Sequence, residues 1–289
     1  MTLRIGTRKS PLALAQAHEV AARLGVPFEI VGMMTSGDAF VGQPLSELGG
    51  KGLFTKELEE ALLDGRIDIA VHSMKDMPTE LPDGLVIASV LPREDASDVL
   101  VCKTATRITD LPQGAKFGTS SLRRAAQVLH VRPDLQIVPL RGNVQTRITK
   151  IEQGIADATM LARAGLNRLK LTDIPAHTIP VAECLPAVAQ GAIGIECRSD
   201  NEVCLALIAT VNCADTMAAI TCERAFLRVL DGSCRTPIAG YARIQNGMIY
   251  FEGLIANSDG TNLRRTTLSG DVIDAEKIGR EAGEKLRGF

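Results

Sequence analysis

The sequence predicts an α/β protein of two lobes followed by a smaller α+β domain, and three observations carry that expectation. Apolar runs and helical spacings alternate in the order β-α-β-α-β from Leu3 to Leu91, and the same grammar restarts near Phe117. A strand-like run, Ala192–Cys197, follows the second set and is placed to return to the first sheet. From Ile238 the pattern changes to strand-like runs separated by Asn246-Gly247 and Asp259-Gly260, the dipeptides of tight hairpins.

Leu3–Thr7 reads as a short strand, and Ser10-Pro11 opens an alanine-rich helix through Leu24, with a hydroxyl cap and proline at the first helical position. Phe28–Met33 is the next strand, Leu53–Leu63 has helical spacing, and Ile67–Val71 is a buried-type strand ending at His72-Ser73-Met74-Lys75-Asp76. After a strand at Val86–Leu91 the second set comprises Phe117-Gly118, a helix over Ser121–His130, a strand over Gln136–Leu140, a helix over Val144–Gln153 and a strand over Ala158–Leu161. A helix over Met217–Leu230 and a Gly-containing loop lead into strands at Ile238–Ile244, Met248–Ala256 and Asn262–Gly270, a three-stranded meander, and Ile273–Leu286 has the spacing of a covering helix. The expected domains are residues 1–91 plus 191–209, residues 92–190, and residues 210–289. Two crossing segments between the lobes imply a cleft and a hinge. Thr35–Gly52 is Gly-rich and aperiodic, and reads equally as a flap over that cleft or as a surface loop without a role.

A chain of 289 residues with 45% hydrophobic content can bury a substantial core, and it exceeds the roughly 250 residues at which single cores stop growing. No apolar stretch stands behind the basic residues of the first segment, and none elsewhere approaches the roughly 20 apolar residues of a membrane span. A cytoplasmic location is therefore expected. Seven cysteines without a Cys-x-x-Cys pair argue against a disulfide framework and a zinc site. The four histidines, His18, His72, His130 and His177, lack metal-ligand spacing; no metal is expected and none of them is assigned chemistry. A net charge of -2 argues against a general nucleic-acid surface, while the arginines between Arg123 and Arg168 suggest a local anion site.

Among single residues, Cys234 stands out. Gly232 and Ser233 leave the backbone before it open, and the neighbouring Arg235 favours the thiolate, the form that attacks electrophiles. Taken alone, a cysteine in a cytosolic protein is more often a buried structural residue. Asp76 follows a buried strand and precedes Pro78, which places it at a sheet's carboxyl edge, where open α/β sheets bind ligands; a turn-capping aspartate fits the same pattern. Thr119-Ser120-Ser121 leads into a helix whose first amides form an anion cradle, and Arg123 and Arg124 add bidentate donors. Adjacent Arg123 and Arg124 diverge on a helix, so at least one is expected to serve structure. Arg141, Arg147 and Arg168 are placed toward the same cleft, with Arg8 and Ser10 from the first lobe and Lys51 and Phe54 from the end of the aperiodic segment; each arginine alone reads as well as a solvated helix charge.

The run Glu223-Arg224-Ala225-Phe226, followed by Leu230-Asp231-Gly232-Ser233-Cys234-Arg235-Thr236-Pro237-Ile238-Ala239, resembles the signature of the porphobilinogen deaminase (hydroxymethylbilane synthase) family. Similar runs stand at Gly6–Ala13, Gly49–Phe54, Val71–Pro78, Gly118–Arg124, Leu140–Arg147 and Pro186–Ala192, in family order over nearly the whole chain. Ser233 stands where the family often has glycine.

That resemblance implies two periplasmic-binding-protein-like lobes joined by a double crossover, and a third domain carrying the cofactor cysteine. It implies a transferase that adds four porphobilinogen units, with loss of ammonia, to a dipyrromethane primer held by a thioether on Cys234, then frees the linear hydroxymethylbilane by hydrolysis. Asp76 protonates the leaving amine and stabilises the resulting cation in this reading. Arg8, Ser10, Lys51, Phe54, Ser73, Lys75, Thr119, Ser120, Ser121, Arg123, Arg124, Arg141, Gly142, Asn143, Arg147, Arg168 and Gln190 are the expected cofactor and substrate contacts. The expected partner is the small molecule porphobilinogen, with no nucleic acid or membrane, and the protein is expected to be a monomer. Two other classes fit less of the sequence. A non-catalytic anion-binding protein leaves the C-terminal meander unexplained, and a cysteine hydrolase lacks a matching histidine and acid around Cys234.

Overall fold

The computed structural model describes residues 2–39, 52–230 and 236–287. In chain order, β1 (Leu3–Arg8) leads to α1 (Pro11–Leu24), β2 (Phe28–Met33), a short α2 (Ser36–Ala39), α3 (Lys56–Leu63), β3 (Ile69–Ser73), a 3-10 turn at Met74–Asp76, and β4 (Leu85–Val90). Then come β5 (Asp98–Cys102), β6 (Lys116–Gly118), α4 (Leu122–Val131), β7 (Gln136–Val138), α5 (Val144–Glu152), β8 (Ala158–Ala162), α6 (Arg163–Arg168) and β9 (Ala176–Ile179). The chain continues through β10 (Ile193–Arg198), α7 (Glu202–Ala209), α8 (Ala214–Val229), β11 (Ile238–Gln245), β12 (Met248–Ile255), β13 (Arg264–Asp271) and α9 (Ala275–Arg287). No single helix among the described residues is long and apolar enough to cross a membrane.

These elements form two compact units. The first holds a five-stranded sheet in the order β2-β1-β3-β10-β4. β1 runs parallel to β2 and β3, as the β-α-β grammar requires, and β10 enters antiparallel between β3 and β4. The sheet is therefore mixed where the β-α-β order alone implies a parallel one, because a strand returning after a long excursion is not bound by a helical crossover. Alternation along the strands gives the sheet two apolar faces: Ile5, Ile69, Val71 and Ile195 pack with α1, while Ala70 packs with Leu58, Ala61 and Leu62 of α3. Ser10 caps α1 by accepting the Ala13 N–H at 3.2 Å, and Pro11 occupies its first turn.

The second unit holds a sheet in the order β7-β6-β8-β5-β9 and a three-stranded sheet, β11-β12-β13. β6 is parallel to β7 and β8, and β5 is antiparallel to β8 and β9. The Asn246-Gly247 turn joins β11 to β12 with Gln245 opposite Met248, both turn residues having positive φ. The meander belongs to the same compact unit as the second lobe: Ala126 of α4 clusters with Leu185, Ala239 and Leu254, and the β12–β13 loop sits on the end of α4 through His130 Nδ1 and Gly260 C=O at 3.1 Å. Gly260 has φ +82°, and a Cβ there would lie 2.6 Å from the His130 nitrogen and 2.7 Å from the Ala126 oxygen. Gly260→Ala is expected to destabilise this unit by about 1–3 kcal/mol, lowering the urea midpoint without changing the m-value; an unchanged midpoint would show that the loop lifts off α4 freely.

Candidate active site

Both lobes present the sequence-predicted residues at the carboxyl edge of parallel strands, where the following helices begin. In the first unit, β1 ends at Arg8 and β3 at Ser73, and a pocket of about 60 Å³ is lined by Arg8, Ser10, Phe54, Thr55, His72, Ser73 and Asp76 among others. The Arg8 guanidinium stands 4.4 Å over the Phe54 ring, which fixes its plane while leaving it half-buried. Ser73 Oγ bonds the Gln16 side-chain amide of α1 at 2.8 Å, pinning the end of β3. Lys75 and Asp76 follow on the 3-10 turn, with the Asp76 carboxylate exposed at the pocket. Lys51 lies outside the described residues, as does most of the aperiodic segment; Ser36–Ala39 of that segment is helical.

In the second unit β6, β7 and β8 deliver three loops to one edge. Thr119 Oγ1 accepts the Ser121 N–H at 3.1 Å, Ser121 caps α4, and Ser120 is exposed between them. Asn143 caps α5 by accepting the Thr146 N–H at 2.9 Å, and Gly142 has φ +116° with its Cβ position only 2.6 Å from Thr146 Cγ2, so only glycine fits there. Arg147 Nε donates to the Gly142 carbonyl at 2.9 Å; Arg141, Arg147 and Arg168 are all half-buried.

Arg123, Arg124 and Gln190 are placed differently from the sequence expectation. All three are buried, and all three bind Asp98, a fully buried residue at the start of β5. Arg123 Nη2 reaches Asp98 Oδ2 at 2.8 Å and Arg124 Nη2 reaches Oδ1 at 2.7 Å, while Gln190 Nε2 donates to Oδ1 at 2.9 Å. The adjacent arginines converge because their long side chains approach one carboxylate from two sides, and their remaining donors go to the carbonyls of Leu185 (2.7 Å) and Met160 (2.9 Å). In this structure they support the edge from within. Sequence reasoning missed Asp98; its only signal was a carboxylate heading the apolar run Val99-Leu100-Val101-Cys102.

Cys234 lies outside the described residues. Its flanking elements, α8 and β11, are joined by Glu223, a fully buried carboxylate accepting the N–H groups of Ala189 at 2.5 Å and Ala242 at 2.7 Å. Among the described cysteines all but Cys213 are buried. Burial pushes the Cys184 and Cys197 thiols up to about 11, so they remain protonated and unreactive near neutral pH.

Burial alone would push the Asp98 carboxyl up, but the two guanidiniums outweigh it and hold it well below the usual carboxylate range. A folded-state pKa below the unfolded value adds stability above about pH 4, and this is lost as the pH falls further. Asp98→Asn leaves two buried guanidiniums without an anion, and is expected to cost about 3–5 kcal/mol at pH 7. The gap from the parent should narrow below about pH 4 in urea unfolding. Equal stability at pH 7 would contradict this account.

Residues 3–206 match the family model described as "Porphobilinogen deaminase, dipyromethane cofactor binding domain", and residues 217–288 match "Porphobilinogen deaminase, C-terminal domain". The chain is 50% identical over 297 residues to the chloroplastic porphobilinogen deaminase of Pisum sativum, covering 98% of this chain and 80% of the relative. It is 52% identical over 290 residues to the porphobilinogen deaminase of Nitrobacter winogradskyi, with 98% and 92% covered. The Paracoccus denitrificans enzyme is 50% identical over 293 residues, with 99% and 94% covered. These matches span nearly its whole length, and the chain belongs to the porphobilinogen deaminase family.

Proposed function

We propose that the chain polymerises four porphobilinogen molecules through Asp76, with Cys234 as the thioether anchor of a dipyrromethane primer. Membership of an enzyme family sets aside the non-catalytic anion-binding alternative. The observation that carries the assignment of Asp76 is its exposed carboxylate on the same pocket as Arg8, Ser10, Phe54 and Ser73.

Porphobilinogen carries an acetate, a propionate and an aminomethyl group, so its site needs fixed cations for two carboxylates and a proton source for the amine. The donors of each unit fit acidic pyrrole side chains: Arg8 in the first unit, and in the second Arg141 and Arg147 around the start of α5 and Arg168 at the end of α6, are half-buried guanidiniums suited to bidentate carboxylate binding. Ser10, Lys51, Phe54, Ser73, Lys75 and the Thr119–Ser121 and Gly142-Asn143 loops complete that set, while Arg123, Arg124 and Gln190 act from the interior. Dipyrromethane, when bound, supplies the free pyrrole carbon from which the product grows. Asp76 gives a proton to the departing amine and then stands as an anion beside the positive charge left on the substrate methylene. A cytoplasmic location and action as a monomer, apart from nucleic acid and membrane, belong to the same proposal, and the net charge of -2 supports it.

Intact mass tests the anchor: the active protein should exceed its sequence mass by one dipyrromethane, and Cys234→Ser should return to the sequence mass. An active protein of unmodified mass would overturn it. Asp76→Ala should keep the primer and lose elongation by about 10²–10⁴-fold, whereas a near-normal rate would remove Asp76 from this role.

A further inference from the structure

The first lobe buries a titratable cluster directly beside the Asp76 pocket. His72 on β3 and Glu196 on β10 share one face of the sheet, and His72 Nε2 meets Glu196 Oε2 at 2.8 Å. The antiparallel register sets Gly194 opposite His72 and Glu196 opposite Ala70, which makes this a diagonal pair on that face. Glu196 is 0% exposed and Glu59 of α3 is 7% exposed; one oxygen of each, Oε1, has no hydrogen-bond partner among the described residues. Burial pushes the Glu59 carboxyl up.

His72 itself lines the pocket with Asp76, Arg8 and Thr55. With Nε2 turned to Glu196, the other ring nitrogen, Nδ1, makes no hydrogen bond among the described residues. An imidazole that is oriented by a buried carboxylate, makes no second hydrogen bond among the described residues and belongs to a residue lining a reaction pocket has the arrangement of a general base.

The family reaction needs such a group. When a pyrrole α-carbon attacks the methylene of a deaminated porphobilinogen, a carbon–carbon bond forms and the α-carbon still carries its hydrogen. That C–H bond must break, returning its electron pair to the ring, and the proton must go to an acceptor. Asp76 is engaged with the amine and the methylene cation.

We propose that His72 Nδ1 accepts this α-proton in each addition, with Glu196 holding the ring and balancing the imidazolium. The proton then passes to Asp76, replacing the one given to the amine, so each addition releases one ammonia and restores both the neutral imidazole and the Asp76 acid. The proposal rests on the reading of the Asp76 pocket as the reaction site.

The test uses the primer-loaded protein and porphobilinogen deuterated at its free α-position. His72→Gln keeps an N–H donor for Glu196 but has no base. It should carry the normal primer mass, keep KM, lose elongation by about 10²–10⁴-fold and show a primary deuterium isotope effect absent from the parent. Glu196→Gln, which keeps a hydrogen-bond partner for His72 without the charge, should show the same isotope effect with a smaller rate loss, and answers the question if His72→Gln does not fold. A His72→Gln protein of normal rate, a slow variant of either kind without an isotope effect, or loss of the primer would overturn the role of His72. Asp76→Ala separates the two readings: near-normal elongation there removes the pocket assignment, while slow elongation without an isotope effect keeps that assignment whatever His72 does.

Discussion

Asp98 holds two guanidiniums in the interior of the second lobe, and much of that lobe's edge hangs from the arrangement. Burying an arginine is costly unless an anion meets it and its remaining N–H groups find acceptors. Here Arg123 and Arg124 share one carboxylate and place further donors on the Leu185 and Met160 carbonyls, while Gln190 binds both Asp98 and the Ala96 carbonyl. One carboxylate thereby ties together β5, α4, β8 and the loop around Gln190, which fixes where α4 begins. That beginning carries Thr119, Ser120 and Ser121.

The network extends through the loop that precedes β10. Ala189, with φ +59°, gives its N–H to Glu223, and Glu223 also takes the Ala242 N–H of β11. Two fully buried carboxylates therefore brace the residues next to each other at positions 189 and 190, one through α8 and β11, the other through β5 and α4. The flanks of the Cys234 loop are thus set by the same buried polar framework as the arginine-bearing edge. Buried polar networks of this kind specify one arrangement because each partly broken alternative leaves a charge unmet.

Much of this was legible in the sequence. Periodicity located β1, α1, β2, α3 and β3, and the Ser10-Pro11 pair marked the start of α1. Asn246-Gly247 marked the tight turn between β11 and β12, whereas Asp259-Gly260 stands inside a longer connection from Ile255 to Arg264 and not in a tight hairpin, and Asp76 was placed at a carboxyl edge from the strand before it alone. The strands β5 and β9 were not legible: β5 begins with a charge, and β9, Ala176-His177-Thr178-Ile179, has no apolar run. The short α6 and the nearly all-apolar α7 lack the periodic contrast that marks a helix. Asp98 lies 25 and 26 residues from its arginines in sequence, a distance at which only the folded sheet pairs them. A carboxylate with two arginine partners is invisible to any rule of local spacing.

Two clusters of buried charge, one in each lobe, are satisfied differently. In the second, Asp98 meets Arg123, Arg124 and Gln190, and Glu223 meets two backbone N–H groups. In the first, Glu59 and Glu196 each keep an oxygen without a partner among the described residues, and a single imidazole faces the pair. A saturated cluster holds its members in one arrangement and serves geometry. Of the first-lobe cluster, His72 lines the pocket that also holds Asp76. The Asp98 and Glu223 clusters thus serve geometry, as does Asp68 with Arg4 in the first lobe, and the proton-transfer role proposed above concerns His72 and Glu196 alone.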